Sequence, residues 1–146
     1  MRDSATPPNP FVQGILLPAT LLFVAMLNLT LVVAGLKELV VVAVSGINRC
    51  DYCLASHSVL AGRAGATQEE IEAARDGRYS AFDERERTAL EYAAALTREP
   101  LGIDDAFFAR VRSHFEEGGV VELSAVAGLF NYFNRFNNAL RMPPTA

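Results

Sequence analysis

The residues best suited to chemistry in this sequence are two cysteines and a histidine. Cys50 and Cys53 are separated by two residues, and His57 follows four residues after the second cysteine. On a helix these three positions share one face, so both thiols and the imidazole project together. Unpaired N–H groups and the helix dipole at the first turn favour a thiolate at Cys50. The spacing predicts a dithiol that cycles to a disulfide, in which one sulfur attacks and the other resolves.

A carboxyl group belongs to the same predicted site. Glu38 lies in an otherwise largely apolar run, Leu36 to Val44, that precedes the cysteine segment. A carboxylate in such surroundings is costly unless it is paired, hydrogen-bonded or protonated. If the two helices pack as a hairpin, Glu38 faces the side that carries His57 and Cys53. We therefore expect a proton relay made of a carboxyl group, an imidazole and a thiol.

Other interpretations of these residues stay open at this point. The cysteines are also compatible with two buried structural thiols, or with a metal site that Glu38 would complete. A metal site is disfavoured because no second Cys-x-x-Cys and no His pair supplies a closed set of ligands. For Glu38 the alternative is an ion pair with an arginine, and for Tyr52 it is packing or an interface. We predict no metal and no cofactor other than a redox-active disulfide between Cys50 and Cys53.

The elements that must position these residues are predicted to be helices throughout. The predicted helices are Phe11 to Asn28, Leu36 to Gly46, Asp51 to Gly62 or Gly65, Thr67 to Asp76, Asp83 to Arg98, Asp104 or Asp105 to Phe115, and Val120 to Leu140. The Val-rich second segment is also compatible with a buried strand, but it shows no alternation and has no other strand to pair with. Gly118 and Gly119 are expected to break the chain before the last helix.

Length and composition bound the class of protein. The chain has 146 residues, of which 51% are hydrophobic and 21% are charged, so it is sufficient for one domain with a real core. The net charge of -4 makes a dedicated nucleic-acid binder an unlikely class, and two cysteines exclude a disulfide-rich scaffold. We predict one all-α domain over residues 1–146, with six or seven helices, a flexible arm at 1–10 and a frayed tail at 141–146.

One segment complicates this interpretation. From Ser4 to Leu36 the chain carries no Asp, Glu, Lys, Arg or His. The segment is long enough to span a membrane, but Pro18, Asn28 and Gly35 interrupt it and its positive flanks are thin. We therefore favour a buried helix and loop at the centre of an oligomer, and we expect a cytoplasmic protein that is not bound to a membrane.

The sequence also resembles a known family. Glu38, eleven intervening residues, and then Cys50-x-x-Cys53-x-x-x-His57 are similar to the pattern of alkylhydroperoxidase D-like proteins in the carboxymuconolactone decarboxylase superfamily. The flanks of this motif and the C-terminal segment VVELSAVAGLFNYFNRFNNAL extend the similarity to about two-thirds of the chain. Tyr52 stands where the best-known members have His, as in a subgroup called peroxidase-related.

The resemblance implies an activity and a set of roles. It implies an all-helical subunit that assembles as a homo-trimer or homo-hexamer and reduces hydroperoxides with thiols, without metal or haem. By similarity Cys53 attacks the peroxide, Cys50 closes the disulfide, and Glu38 and His57 relay protons. Tyr52 in place of His puts efficient peroxidase activity in question, because a phenol is a poor proton acceptor.

The sequence as a whole predicts an oxidoreductase, a hydroperoxide reductase of the peroxiredoxin type. Its partners would be a hydroperoxide and a dithiol reductant such as a lipoyl or thioredoxin-like protein. Two alternatives are a non-redox enzyme of the carboxymuconolactone decarboxylase kind, and a redox-responsive oligomeric binding module without turnover. The first would not need the two cysteines, which counts against it.

Overall fold

A computed structural model describes residues 32–144. Within that range the chain forms six α-helices and two short 3-10 turns, and no β-strand. The helices are α1 (Ala34–Ile47), α2 (Asp51–Arg63), α3 (Gln68–Asp76), α4 (Glu84–Arg98), α5 (Asp105–His114) and α6 (Glu117–Ala139), with 3-10 turns at Tyr79–Ala81 and Pro100–Gly102. The all-α prediction is confirmed. The predicted helix Phe11 to Asn28, the arm at 1–10 and the last two residues of the tail lie outside the described residues.

Helix α1 is the centre of this structure. It packs against α2, α3, α4 and α6, and its residues from Leu39 to Ser45 are buried. The strand alternative for its Val-rich run is excluded, because burial on nearly every side outweighs the lower helix propensity of valine. Gly46 allows a close approach to α3, since a side chain there would collide with the backbone oxygen of Arg75.

A buried ion pair joins α1 to α6. The Lys37 ammonium group donates to Glu122 Oε1 at 2.8 Å, and the two side chains are only 4% and 6% exposed. The second oxygen of the Glu122 carboxylate accepts from the backbone N–H of Val32 at 2.7 Å. This carboxylate therefore fixes both the start of α1 and the chain that leads into it.

Helix starts follow the capping residues. Thr67 and Glu70 form a complete capping box at α3, in which the Thr67 side chain accepts from the Glu70 N–H and the Glu70 side chain from the Thr67 N–H. Asp83 caps α4, and Asp104, not Asp105, caps α5 through the Phe107 N–H at 2.7 Å. Each cap satisfies a backbone donor that the helix itself leaves free.

The start of the last helix was predicted wrongly. Helix α6 begins at Glu117 and contains Gly118 and Gly119 in its first turn, so the two glycines do not break the chain. The chain instead turns at Phe115 and Glu116, which both have extended backbones. An added Cβ at Gly119 would lie 3.5 Å from the Phe115 Cβ, which is an ordinary van der Waals contact, so the space at this position does not itself require glycine.

No helix in the described range is both long enough and apolar enough to cross a membrane.

Candidate active site at the dithiol

The two cysteines lie at the N-terminus of α2 as a reduced pair. The Sγ atoms of Cys50 and Cys53 are 2.9 Å apart, and both residues are free thiols. Cys50 is the N-cap of α2, where its sulfur accepts from the Cys53 N–H at 3.4 Å. Cys50 is fully buried and Cys53 is 3% exposed. The local sequence thus brings one sulfur to the helix dipole and the other directly beside it.

The surroundings of the two thiols favour the loss of one proton and oppose the loss of the second. The pKa of Cys50 is lowered to about 6, chiefly because the Cys53 side chain hydrogen-bonds to its thiolate, although burial opposes the shift. The pKa of Cys53 is raised, chiefly because its proton bonds to the Cys50 sulfur and also because of burial. The two sulfurs therefore share one proton around neutral pH.

Glu38 and His57 form a second pair next to the dithiol. Glu38 Oε2 on α1 lies 2.6 Å from His57 Nδ1 on α2. Their side chains are 14% and 13% exposed, and the His57 ring also packs edge-on against Phe130 at 4.6 Å. His57 stands one turn after Cys53, so the helix puts the imidazole and that sulfur on one face. The structure brings Glu38 and His57 into contact, and among residues 32–144 Glu38 makes no ion pair with an arginine.

Tyr52 is placed less favourably than the other predicted site residues. It is half-buried in the first turn of α2, between the two cysteines in sequence. Adjacent helix positions point in directions about 100° apart, so its side chain leaves the helix on another side than Cys53. Within residues 32–144 its hydroxyl makes no hydrogen bond to either sulfur.

Buried asparagines on α6 complete the surroundings of the sulfurs, and the sequence analysis missed them. Asn137 Nδ2 donates to Cys53 Sγ at 3.3 Å. Asn134 accepts from Asn48 Nδ2 at 3.0 Å and donates to Ser45 Oγ at 3.1 Å. Both residues are buried, and their hydrogen bonds lower the pKa of the neighbouring thiols. The available signal was asparagine repeated every three residues along an aromatic helix, a polar stripe that needs partners.

The described residues contain no cluster of three or more His, Cys, Asp or Glu side chains placed to hold a metal ion. What the arrangement offers is a thiolate, a second sulfur within reach of it, and a carboxyl–imidazole pair that can exchange protons.

Comparison with known proteins shows which family this chain is similar to. Residues 32–95 match the carboxymuconolactone decarboxylase family. The uncharacterised protein YnjA of Escherichia coli strain K12 is 33% identical over 108 residues, which are 73% of this chain and 59% of YnjA. The chain thus spans about three-fifths of that relative.

Solved structures extend the similarity to the fold. An uncharacterised peroxidase-related protein from Silicibacter sp. TM1040 is 32% identical with a TM-score of 0.77, covering 85% of this chain and 69% of that one. A protein of unknown function from Agrobacterium tumefaciens, named as a candidate antioxidant defence protein AhpD, has a TM-score of 0.84 at 21% identity, over 97% and 99% of the two chains. This chain belongs to the carboxymuconolactone decarboxylase superfamily, which includes the AhpD-like proteins.

Proposed function

We propose that this protein is a thiol-dependent hydroperoxide reductase. The observation that carries the proposal is the pair of free sulfurs 2.9 Å apart at a helix N-terminus, where one is favoured as a thiolate. The Glu38–His57 contact supplies the proton exchange that such a cycle needs. The names of the peroxidase-related and antioxidant-defence relatives point in the same direction.

The first step of the proposed cycle is attack by Cys53 on the peroxide. Cys53 passes its proton to Cys50 and becomes the thiolate, since the pair holds one proton between two sulfurs. An S–O bond forms to the terminal oxygen of the hydroperoxide and the O–O bond breaks. The alkoxide leaves and takes a proton from His57, whose imidazolium Glu38 stabilises. Cys53 is now a sulfenic acid, oxidised by two electrons, and the peroxide has become an alcohol.

The second step closes a disulfide. The Cys50 sulfur loses its proton and attacks Cys53, so the S–S bond forms as the S–O bond breaks, and hydroxide leaves as water. A dithiol reductant, lipoyl or thioredoxin-like, then reduces the disulfide and is itself oxidised to a disulfide. The cycle uses no cofactor beyond the Cys50–Cys53 disulfide and no metal. Tyr52 would orient the peroxide at the rim of the site.

The roles of the two cysteines are tested by single substitutions. With dihydrolipoamide as reductant, Cys53→Ser and Cys50→Ser should both abolish the turnover of cumene hydroperoxide. Only Cys50→Ser should still form one sulfenic acid per chain, which dimedone traps and mass spectrometry locates at Cys53. Turnover that survives Cys53→Ser would overturn the proposal. Decarboxylation of a carboxymuconolactone by a variant that lacks both thiols would support the non-redox alternative.

The setting of this activity is part of the same proposal. A thiol that must return to the reduced state suits the cytoplasm, where disulfides are kept reduced. We also propose that the chain assembles as a homo-trimer or homo-hexamer. Sedimentation velocity of the full chain should give a single species of one of these masses, and a monomer would contradict this part of the proposal.

A further inference from the structure

One buried acceptor beside the sulfurs has no hydrogen-bond partner in the described part of the chain. Asn137 is 4% exposed, and its Nδ2 is committed to Cys53 Sγ at 3.3 Å. Its other amide atom, Oδ1, is buried without any hydrogen-bond partner among the described residues. A buried carbonyl oxygen without a partner loses its hydrogen bonds to water and gains none, and such groups are rare enough in native structures to need a reason.

The neighbouring asparagines do not share this unpaired amide oxygen. Asn134, one turn earlier on α6, is also buried, and both ends of its amide are used, with Asn48 and with Ser45. Asn138, the next residue, donates to the backbone oxygen of Asn48 at 3.0 Å and is half-buried. Of these three asparagines, Asn137 alone donates to a sulfur and has an amide oxygen with no partner among residues 32–144.

The bonding of the sulfurs fixes which amide end faces Cys53. The Cys50 and Cys53 sulfurs are 2.9 Å apart and share one proton, and with the proton on either sulfur Cys53 Sγ keeps a lone pair that accepts from the Asn137 N–H at 3.3 Å. The amide oxygen, on the same rigid plane, then lies beside the sulfur with its lone pairs unused. A group bound to that oxygen would be adjacent to Cys53 Sγ and would have to carry a hydrogen-bond donor.

We propose that Asn137 is a catalytic residue that binds the terminal O–H of the hydroperoxide through Oδ1 while its Nδ2 holds the attacking sulfur of Cys53. This inference rests on the hydroperoxide reductase activity proposed above. In R–O–O–H the oxygen that the thiolate attacks is the one that bears the hydrogen. When the S–O bond forms and the O–O bond breaks, that hydrogen stays on the same oxygen, so the Asn137 bond persists from the peroxide to the sulfenic acid.

The arrangement predicts a substrate class as well as a role. A hydroperoxide or hydrogen peroxide supplies the donor that Oδ1 lacks, whereas a dialkyl peroxide has no O–H and leaves the oxygen unsatisfied. A site with a buried polar group selects strongly against an analogue that cannot pair with it.

The test uses two variants of Asn137 and a matched control, all in the Cys50→Ser protein so that Cys53 reports alone. Asn137→Leu has a similar shape and removes both the donor and the acceptor, whereas Asn137→Asp keeps acceptor oxygens and loses the donor. Asn138→Leu removes an amide on the same turn that does not touch a sulfur. Second-order rates with cumene hydroperoxide and with iodoacetamide are measured across pH, and thermal unfolding checks that each variant is folded.

Two readouts separate the two ends of the amide. Loss of the donor should raise the pH midpoint of Cys53 alkylation by about one unit in Asn137→Leu and at least as much in Asn137→Asp. Loss of the acceptor should lower the ratio of the hydroperoxide rate to the iodoacetamide rate by about tenfold in Asn137→Leu, but by less than about threefold in Asn137→Asp. The control Asn138→Leu should change neither readout.

The measurements test the acceptor role of Asn137, its donor role and the reductase activity separately. If both rates fall in equal proportion in Asn137→Leu, the acceptor role of Oδ1 is wrong. If the midpoint of alkylation does not move, the donor role of Nδ2 is wrong. If the Cys50→Ser protein reacts with cumene hydroperoxide no faster than a free thiol, the proposed reductase activity fails, while the alkylation midpoints still report on the donor.

Discussion

Two adjacent residues of α1 make ion pairs of different kinds. Lys37 reaches α6 and binds Glu122 at 2.8 Å, with side chains 4% and 6% exposed. Glu38, the next residue, reaches α2 and contacts His57 at 2.6 Å, with side chains 14% and 13% exposed. Successive helix positions point about 100° apart, which is why neighbours in sequence meet different helices.

The difference separates a structural ion pair from the pair that we propose to be reactive. The Glu122 carboxylate is shared between the Lys37 ammonium group and the Val32 N–H, so each oxygen has a partner and the arrangement is fixed. An imidazole, unlike an ammonium group, gives up and takes back a proton readily in neutral solution. Only the Glu38–His57 pair stands on the face of α2 that carries Cys53. The Glu38–His57 pair is therefore the one suited to chemistry, because it is partly exposed and its imidazole can exchange a proton.

The largest expected effect is on stability, from Lys37→Met. This change leaves the buried Glu122 carboxylate without its counter-charge, and we expect a loss of about 3–5 kcal/mol in the free energy of unfolding. Urea unfolding followed by circular dichroism measures it. The control is Lys37→Met with Glu122→Gln, which keeps an acceptor for Val32 and should recover most of the loss. A loss below about 1 kcal/mol in the single variant would show that the pair contributes no more than a surface pair does.

Glu38→Gln should show the opposite pattern. The amide keeps the shape but cannot stabilise an imidazolium on His57, so hydroperoxide turnover should fall about 100-fold. The free energy of unfolding should fall by less than in Lys37→Met, because this pair is partly exposed and glutamine still hydrogen-bonds. Steady-state kinetics and urea unfolding on the same preparation give both numbers. Large destabilisation with unchanged turnover would place both pairs in one structural class.

The reduced dithiol should also give the protein a pH dependence that the two ion pairs do not share. Because the pKa of Cys50 is lowered to about 6, the alkylation rate of the reduced protein should reach half its plateau near pH 6 and fall about tenfold per unit below it. The unfolded thiol keeps its proton up to its ordinary value of 9.0, so the reduced protein should gain stability as pH rises from 6 to 9. That contribution is absent below pH 6.

The rise in stability with pH also serves as a control for the comparison between the two ion pairs. It should disappear in Cys50→Ser and persist in Lys37→Met, since the Lys37–Glu122 tie takes no part in the thiol titration. Stability measured by urea unfolding at pH 6, 7 and 8 decides this. A slope that survives Cys50→Ser would show that another group is responsible.

Most helix limits were predictable because the rules that set them are local. Thr67, Asp83 and Asp104 each accept from a backbone N–H three residues ahead, so the type of a single side chain marks the start of each helix. The prediction failed at Gly118 and Gly119, where glycine indicated a break. There the cost of glycine in a helix, about 1 kcal/mol per residue, is outweighed by the tertiary packing of the long helix α6, which a local pattern does not show.

The sequence by itself determined the sulfur pair, because Cys50 and Cys53 are three residues apart and one helical turn is enough to bring them together. Only the tertiary structure decided the partners of that pair. Glu38 and His57 are 19 residues apart, Lys37 and Glu122 are 85 apart, and Cys53 and Asn137 are 84 apart. Such contacts depend on how α1, α2 and α6 pack. Once these polar groups are buried, each needs a hydrogen-bond partner, either within the protein or from a bound ligand.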